Sequence, residues 1–243
     1  MFFAPTVLAL TRSSLGNHVK ILCLSSGNSE GLGEIRKKEL IKSGLKLGLR
    51  KEDDIIVIDN QQDFPDSMIA RWDETKVAAL LLDFFAPNFG RWSQEASDAG
   101  YRAAIDVLIT FDSGGISRHP NHISLYHGAK KFISSLDGHG LHWASPVSLY
   151  TLTSLSMIRK YTFIFDILPS TVDVALSKMK KVGNARDHPT HLIFLNGPEQ
   201  LRCAQFAMKF CHQSQMKWYR QGWIIFSRYM AINDLRLEQH VGH

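Results

Sequence analysis

The chain has 243 residues, 44% of which are hydrophobic, and it carries a formal net charge of +5. This composition is typical of a globular protein with a sizeable core. Apart from short groups at residues 36–38 and 178–181, the Lys and Arg residues are spread along the chain without a nucleic-acid-binding motif. The three cysteines show neither zinc spacing nor a disulfide framework, and no apolar run reaches the roughly 18 residues that a membrane span requires. Composition therefore disfavours a nucleic-acid binder, a disulfide scaffold and a chain that spans a membrane.

Apolar runs alternate with helical patterns along the chain, and most of the apolar runs end at Gly, Ser, Asp or Asn. The predicted strands are residues 19–24, 55–58, 105–111, 147–155 and 191–195. The predicted helices are residues 1–12, 34–48, 72–85, 123–136 and 198–209, with helical character in places over 156–168. Strands separated by helices predict an α/β fold with a mostly parallel sheet covered on both faces. No linker or repeat divides the sequence, so we expect one domain over residues 1–243, with the polar segment 86–104 as an inserted surface loop.

The stretch after the third predicted strand concentrates residues that can do chemistry. The apolar run 105–111 closes at Asp112, turns through two glycines, and presents His119 and His122 before a helix. In open α/β sheets, ligands bind beyond the carboxyl ends of the strands. A carboxylate and two imidazoles at such a position indicate part of a metal site or of an acid/base site.

Other patterns that imitate functional motifs are weaker. His139 with His142, and His188 with His191, have metal-like spacing, but neither pair has a carboxylate or a third ligand beside a strand end. The glycines of residues 27–33 do not form G-x-G-x-x-G, and no G-x-S-x-G motif marks a serine nucleophile. These patterns favour loop histidines and an ordinary turn.

Several long motifs occur in a fixed order: SSGN and GEIRKKEL near the amino terminus, TFDSGGISRHPNH in the middle, and SQMKWYR with FSRYM near the carboxyl terminus. In this order the sequence resembles the N-acetylglucosaminylphosphatidylinositol (GlcNAc-PI) de-N-acetylases, which belong to the LmbE-like zinc deacetylase family. The resemblance covers nearly the whole chain except residues 86–104. It implies a Rossmann-like three-layer fold and a Zn²⁺-dependent hydrolase that removes acetate from GlcNAc-PI during GPI-anchor biosynthesis. It also implies a location at the cytoplasmic face of the endoplasmic reticulum membrane.

The resemblance assigns a role to each of five residues. His122 matches a metal ligand, and His119 matches the histidine that steadies the oxyanion or protonates the leaving amine. Asp112 lies where it can orient one of these imidazoles. Arg36 and Asp66 match positions that contact the sugar and its phosphate side.

One family motif is not present in the sequence. In the family, the motif Ala-His-Pro-Asp-Asp-Glu supplies a zinc histidine, a zinc aspartate and the general base, and it stands just before a segment like MFFAPT, with which this sequence opens. Residues 1–17 contain no His, Asp or Glu. We therefore expect an N-terminally truncated form in which the first strand, two of the three zinc ligands and the base are missing.

Three functions stay open at this level. The first is the zinc-dependent GlcNAc-PI deacetylase, the second is a catalytically inactive truncated homologue that only binds glycolipid or a partner protein, and the third is a deacetylase of a soluble aminosugar. The tail, residues 215–230, is dense in aromatic and basic residues. It fits either core packing with a basic rim or contact with a membrane surface.

Overall fold

The computed structural model describes residues 2–87, 103–137, 147–166 and 189–238. The predicted surface loop at 86–104 lies, from residue 88 to residue 102, outside the described residues, as do His139, His142 and His188. The chain divides into two compact units. The first comprises Met1–Asp66, Leu155–Asp187 and His191–Asp234, and the second comprises Ser67–Ser154, His188–Thr190 and Leu235–His243.

The helices and strands follow one another in the alternation that the sequence predicts. In chain order they are α1 (Ala4–Leu10), β1 (Ile21–Cys23), α2 (Gly33–Lys46), β2 (Ile55–Val57), α3 (Glu74–Phe85), β3 (Val107–Phe111), α4 (Gly115–Arg118), α5 (Pro120–Asp137), β4 (Ser148–Leu152), α6 (Met157–Lys160), β5 (His191–Leu195), α7 (Pro198–Cys211), α8 (Trp218–Phe226), α9 (Arg228–Ala231) and β6 (Ile232–Leu237). None of the helices within the described ranges is both long enough and apolar enough to cross a bilayer.

The first unit contains a two-stranded parallel sheet and most of the helices of the described ranges. Strands β1 and β2 pair with Ile21 opposite Ile55. Helix α2 packs close against β2, because a Cβ at Gly44 would overlap the Ile55 side chain. The apolar core of this unit joins α1, α7, α8 and α9 through Ala4, Leu47, Ala204, Ala207, Met208, Ile224 and Met230.

The second unit holds strands that lead to the candidate site. Strand β3 runs parallel to β4, with Val107 opposite Ser148 and Phe111 opposite Leu152. Strand β4 pairs antiparallel with the end of β6, where Leu152 lies opposite Leu235. Helices α3 and α5 pack without space between them, since a Cβ at Gly128 would overlap Val77.

The strand order of the four-stranded sheet is β3-β4-β6-β5. Both other strand pairs with an assigned register are parallel. The predicted α/β fold with a mostly parallel sheet is confirmed, whereas β6 was missed by the sequence patterns. The single-domain assignment and the missing first strand stay predictions.

Candidate active site

Strand β3 ends at Asp112, whose carboxylate is fixed by the segment that follows β4. Asp112 Oδ1 accepts hydrogen bonds from Ser154 Oγ (2.5 Å) and from the Gly114 backbone N–H (3.0 Å). Asp112 Oδ2 accepts a third from the Ser154 backbone N–H (2.5 Å). The parallel pair β3/β4 places both residues at one edge of the sheet, because parallel strands end on the same side. Asp112 therefore ties the turn after β3 to the end of β4, while its predicted role beside an imidazole stays a prediction.

The turn between β3 and α5 has a strained backbone. Gly115 has φ +55°, and a Cβ there would come within 3.1 Å of His122 Cβ and 3.0 Å of Ile123 Cγ1, so a side chain at this position would be both crowded and strained. Ile116, a β-branched residue, has φ +61°, which is a rare conformation for such a side chain. Its backbone N–H donates to Ser154 Oγ at 2.7 Å, which holds the strained peptide in place. Strain of this kind clusters at functional sites and persists only where neighbours enforce it.

His122 lies in the first turn of α5 and presents one defined ring nitrogen. Its Nδ1 lies 3.1 Å from the Gly115 carbonyl oxygen, and since a carbonyl only accepts, Nδ1 carries the proton. Burial lowers the pKa of His122 to about 4, so the ring is neutral at pH 7. Phe111 stacks on the ring with centroids 3.9 Å apart. In this tautomer the lone pair is on Nε2, which is the form in which imidazole binds a metal ion.

His119 precedes α5 and has the opposite tautomer. Its Nδ1 accepts a hydrogen bond from the Asn121 backbone N–H at 3.3 Å, so the proton of the neutral ring is on Nε2. Helix α5 begins immediately afterwards with Pro120 at its first position, which is favourable there because that N–H has no helical partner. The rings of His119 and His122 have centroids 4.9 Å apart. The pair therefore combines one donor nitrogen with one lone-pair nitrogen.

Among the described residues of the site, the Nε2 atom of His122 is chemically suited to bind Zn²⁺. A neutral His122 with Nδ1–H held by a backbone carbonyl has the protonation and the supporting hydrogen bond that histidine ligands of zinc have. Within the described ranges, however, no group of three or more His, Cys, Asp or Glu side chains is arranged to hold a metal ion. Among the described residues, His122 is therefore a candidate ligand without a complete set of partners.

Arg36 and Asp66, the predicted substrate-binding residues, lie together in the first unit. Arg36 Nη1 donates to the Gly27 carbonyl, Nη2 pairs with Glu30, and Nη1 lies 4.0 Å from Asp66 Oδ2. The same Asp66 oxygen accepts from Ser29 Oγ at 3.0 Å. A guanidinium, a carboxylate and a hydroxyl therefore lie in one cluster beside the turn after β1.

A second carboxylate beside this cluster was missed by the sequence patterns. Asp59 follows β2 with φ +51° and accepts hydrogen bonds from the Ser26 hydroxyl and backbone N–H. Together with Lys37, whose Nζ is 2.9 Å away, these bonds lower the pKa of Asp59 to about 2, the Ser26 hydroxyl having the largest effect. The signal was present in the sequence, since Ser26 and Asp59 follow neighbouring parallel strands at the same edge.

The site thus consists of a parallel strand pair, a turn anchored by a carboxylate, and two histidines with opposite ring nitrogens protonated. This arrangement is typical of α/β enzymes that use acid/base or metal-assisted chemistry. The model of the GlcNAc-PI de-N-acetylase family, PIG-L, matches residues 1–133. The chain belongs to this family, and the resemblance noted in the sequence is confirmed.

Curated relatives match nearly the whole chain. The N-acetylglucosaminyl-phosphatidylinositol de-N-acetylase of Arthroderma benhamiae is 42% identical over 98% of this chain and 83% of its own length. The enzyme of the same name from Bos taurus is 36% identical over 97% of this chain and 77% of its own length. A probable enzyme of this name from Schizosaccharomyces pombe is 36% identical, with 97% and 81% covered.

Proposed function

We propose that this chain hydrolyses the acetamide of GlcNAc-PI, releasing acetate and leaving a free amine on the sugar. The family and the names of its relatives support this reaction. The observation that carries it in the structure is the pair of opposite tautomers at His119 and His122. Amide hydrolysis requires a donor for the developing oxyanion or leaving amine, and a lone-pair nitrogen suits the metal that most hydrolases of this kind use.

The two histidines have separate tasks in this proposal. His119 Nε2–H donates a hydrogen bond to the developing oxyanion of the acetamide. His122 Nε2 would be one ligand of Zn²⁺, which when bound would supply a Lewis acid to polarise the acetamide and acidify a water molecule. Asp112 acts through the backbone, because it fixes the turn that holds both rings.

Arg36 and Asp66 are the proposed substrate-binding residues. Arg36 contacts the inositol-phosphate portion of GlcNAc-PI, and Asp66 contacts the sugar. The Arg36 guanidinium can attract a phosphate group by its charge, and the Asp66 carboxylate can accept hydrogen bonds from sugar hydroxyls. Because the substrate is linked to a lipid, the reaction takes place at a membrane surface. We propose that this surface is the cytoplasmic face of the endoplasmic reticulum. Helix α8 suits contact with that membrane, since Trp218 is 87% exposed and Phe226 is 58% exposed.

The experiment is acetate release from GlcNAc-PI carrying an isotopically labelled acetyl group, with free GlcNAc as the comparison substrate. The proposal expects release from GlcNAc-PI and at least about tenfold slower release from free GlcNAc, because the phosphate and inositol contacts of Arg36 are lost. Equal rates on both substrates would move the function to a soluble aminosugar. An Arg36→Gln variant should lower kcat/KM for GlcNAc-PI and leave the rate on free GlcNAc unchanged.

A second candidate is a non-catalytic protein that binds the same glycolipid. The observation in its favour is the lack, in the part of the chain that the structure describes, of a complete group of metal ligands. Saturable binding of GlcNAc-PI without acetate release, together with less than stoichiometric zinc by mass spectrometry, would establish this candidate and refute the hydrolase. Release of acetate by the zinc-loaded chain would exclude it.

A further inference from the structure

Helices α2 and α7 of the first unit present a surface that combines lysines with exposed phenylalanine rings. Lys38, Lys42 and Lys46 are exposed and spaced by four residues, so they follow one side of α2. Phe206 and Phe210 have the same spacing on α7, and each is 43% exposed. We call this surface the basic–aromatic face.

The two helices carry the face as one piece. Cys203 Sγ donates to the Lys46 carbonyl oxygen at 3.3 Å and links α7 to the end of α2. The Lys46 ammonium lies 4.7 Å from the centre of the Phe206 ring, and the two phenylalanine rings have centroids 4.7 Å apart. Lys209 closes the other side, with its ammonium 5.5 Å from the centre of the Phe210 ring. Rings and cations are thus interleaved rather than separated.

The charge of the face is positive and is not neutralised by its own helices. Of the carboxylates on α2, Glu34 pairs with Lys37 and Glu39 accepts from the Ser214 hydroxyl and backbone N–H. On α7 the single carboxylate, Glu199, is in the first turn, two turns from Phe206. A ligand for this face therefore carries negative charge and has an apolar part for the rings.

An anionic bilayer has both properties. Lysines near its surface are attracted to the phospholipid headgroups, and aromatic rings between them enter the boundary with the acyl chains. We propose that the basic–aromatic face docks the first unit onto a membrane containing anionic phospholipid. This inference rests on the proposed function in one respect, namely that the phosphatidylinositol-linked substrate is a lipid of the membrane to which the face would bind. It assigns a second contact, separate from the aromatic residues of α8.

The test is flotation of the whole chain with vesicles of phosphatidylcholine alone and with about 30 mol% phosphatidylinositol. The Lys38→Gln/Lys42→Gln double variant should bind the anionic vesicles about 25-fold more weakly, about fivefold for each charge. A Phe206→Ser/Phe210→Ser variant should weaken binding about tenfold. The control is Lys20→Gln/Lys51→Gln, which removes the same charge from exposed positions elsewhere in the first unit and should change binding less than about threefold.

Equal losses in the lysine variant and its control would overturn the proposal, as would binding that does not depend on phosphatidylinositol. If the chain instead binds polyglutamate through the lysines and not the phenylalanines, and does not bind vesicles, the basic–aromatic face would be a site for an acidic protein. Acetate release from a lipid-free GlcNAc–inositol phosphate separates this inference from the hydrolase. The variants should leave the rate of that release unchanged. Failure to bind vesicles with intact acetate release would reject the membrane-docking proposal alone. Vesicle binding without acetate release would reject the proposed hydrolase activity alone.

Discussion

Replacement of Ser154 by alanine should loosen the turn that carries both histidines. The Ser154 hydroxyl donates to Asp112 Oδ1 at 2.5 Å and accepts from the Ile116 N–H at 2.7 Å. A hydrogen bond to a charged group contributes about 1.5–3 kcal/mol, and an N–H left without an acceptor costs about 1–3 kcal/mol when buried. Ser154 is half-buried, so water replaces part of both bonds. We expect the free energy of unfolding to fall by about 2–3 kcal/mol.

The assay is urea unfolding of the wild-type chain and the variant, with Ser135→Ala as the matched control. Ser135 Oγ donates to the Lys131 carbonyl within α5, and replacing this hydroxyl should change stability by less than about 0.5 kcal/mol. A double-mutant cycle with Asp112→Ala isolates the Ser154–Asp112 contact and should give a coupling energy of about 1–2 kcal/mol. A Ser154→Ala effect no larger than that of Ser135→Ala would refute the idea that this hydroxyl holds the strained turn.

Two further predictions concern buried charge. The His122 pKa of about 4 lies below the 6.5 of an unfolded chain, because burial disfavours the charged ring. Below pH 6.5 the unfolded state therefore takes up a proton that the folded state does not, so the free energy of unfolding falls as pH drops from 6.5 to about 4. NMR titration of the ring checks this, and a midpoint near 6.5 would contradict it. Asp166→Ala should cost about 3–5 kcal/mol in thermal unfolding, because Arg228 (2.6 Å) and Arg159 (2.7 Å) both lose the contact with this buried carboxylate inside the first unit. The exposed Asp53→Ala should cost less than about 0.5 kcal/mol, and equal effects would show that the buried network contributes nothing.

The sequence predicted the part of the site that depends on local pattern. The apolar run before Asp112 forms β3, and the histidines lie where the turn and Pro120 place them, because strand and helix-start signals are local. Ser154 was not predicted. Its role depends on the parallel register of β3 and β4, which brings it beside Asp112 from 42 residues away in the chain.

The same physical reason explains why β6 was missed. Its sequence, INDLRL, places two polar residues, Asn233 and Asp234, where an apolar strand pattern is expected, yet both are buried. Asn233 is satisfied within the first unit, since its Oδ1 accepts from the Thr6 hydroxyl at 2.7 Å and its Nδ2 donates to the Phe2 carbonyl. Sequence patterns predict that such a polar residue is exposed, because its hydrogen-bond partners lie more than 220 positions away in the chain.

The central claim is that the hydrolytic centre lies after β3 and depends on His122. Its most direct test is the initial rate of acetate release from GlcNAc-PI by the wild-type chain, by His122→Ala, and by His127→Ala as an exposed control on the same helix. The account predicts that His122→Ala lowers kcat/KM at least about 100-fold, while His127→Ala stays within about twofold of the wild type. Acetate release that is unchanged in His122→Ala would contradict it.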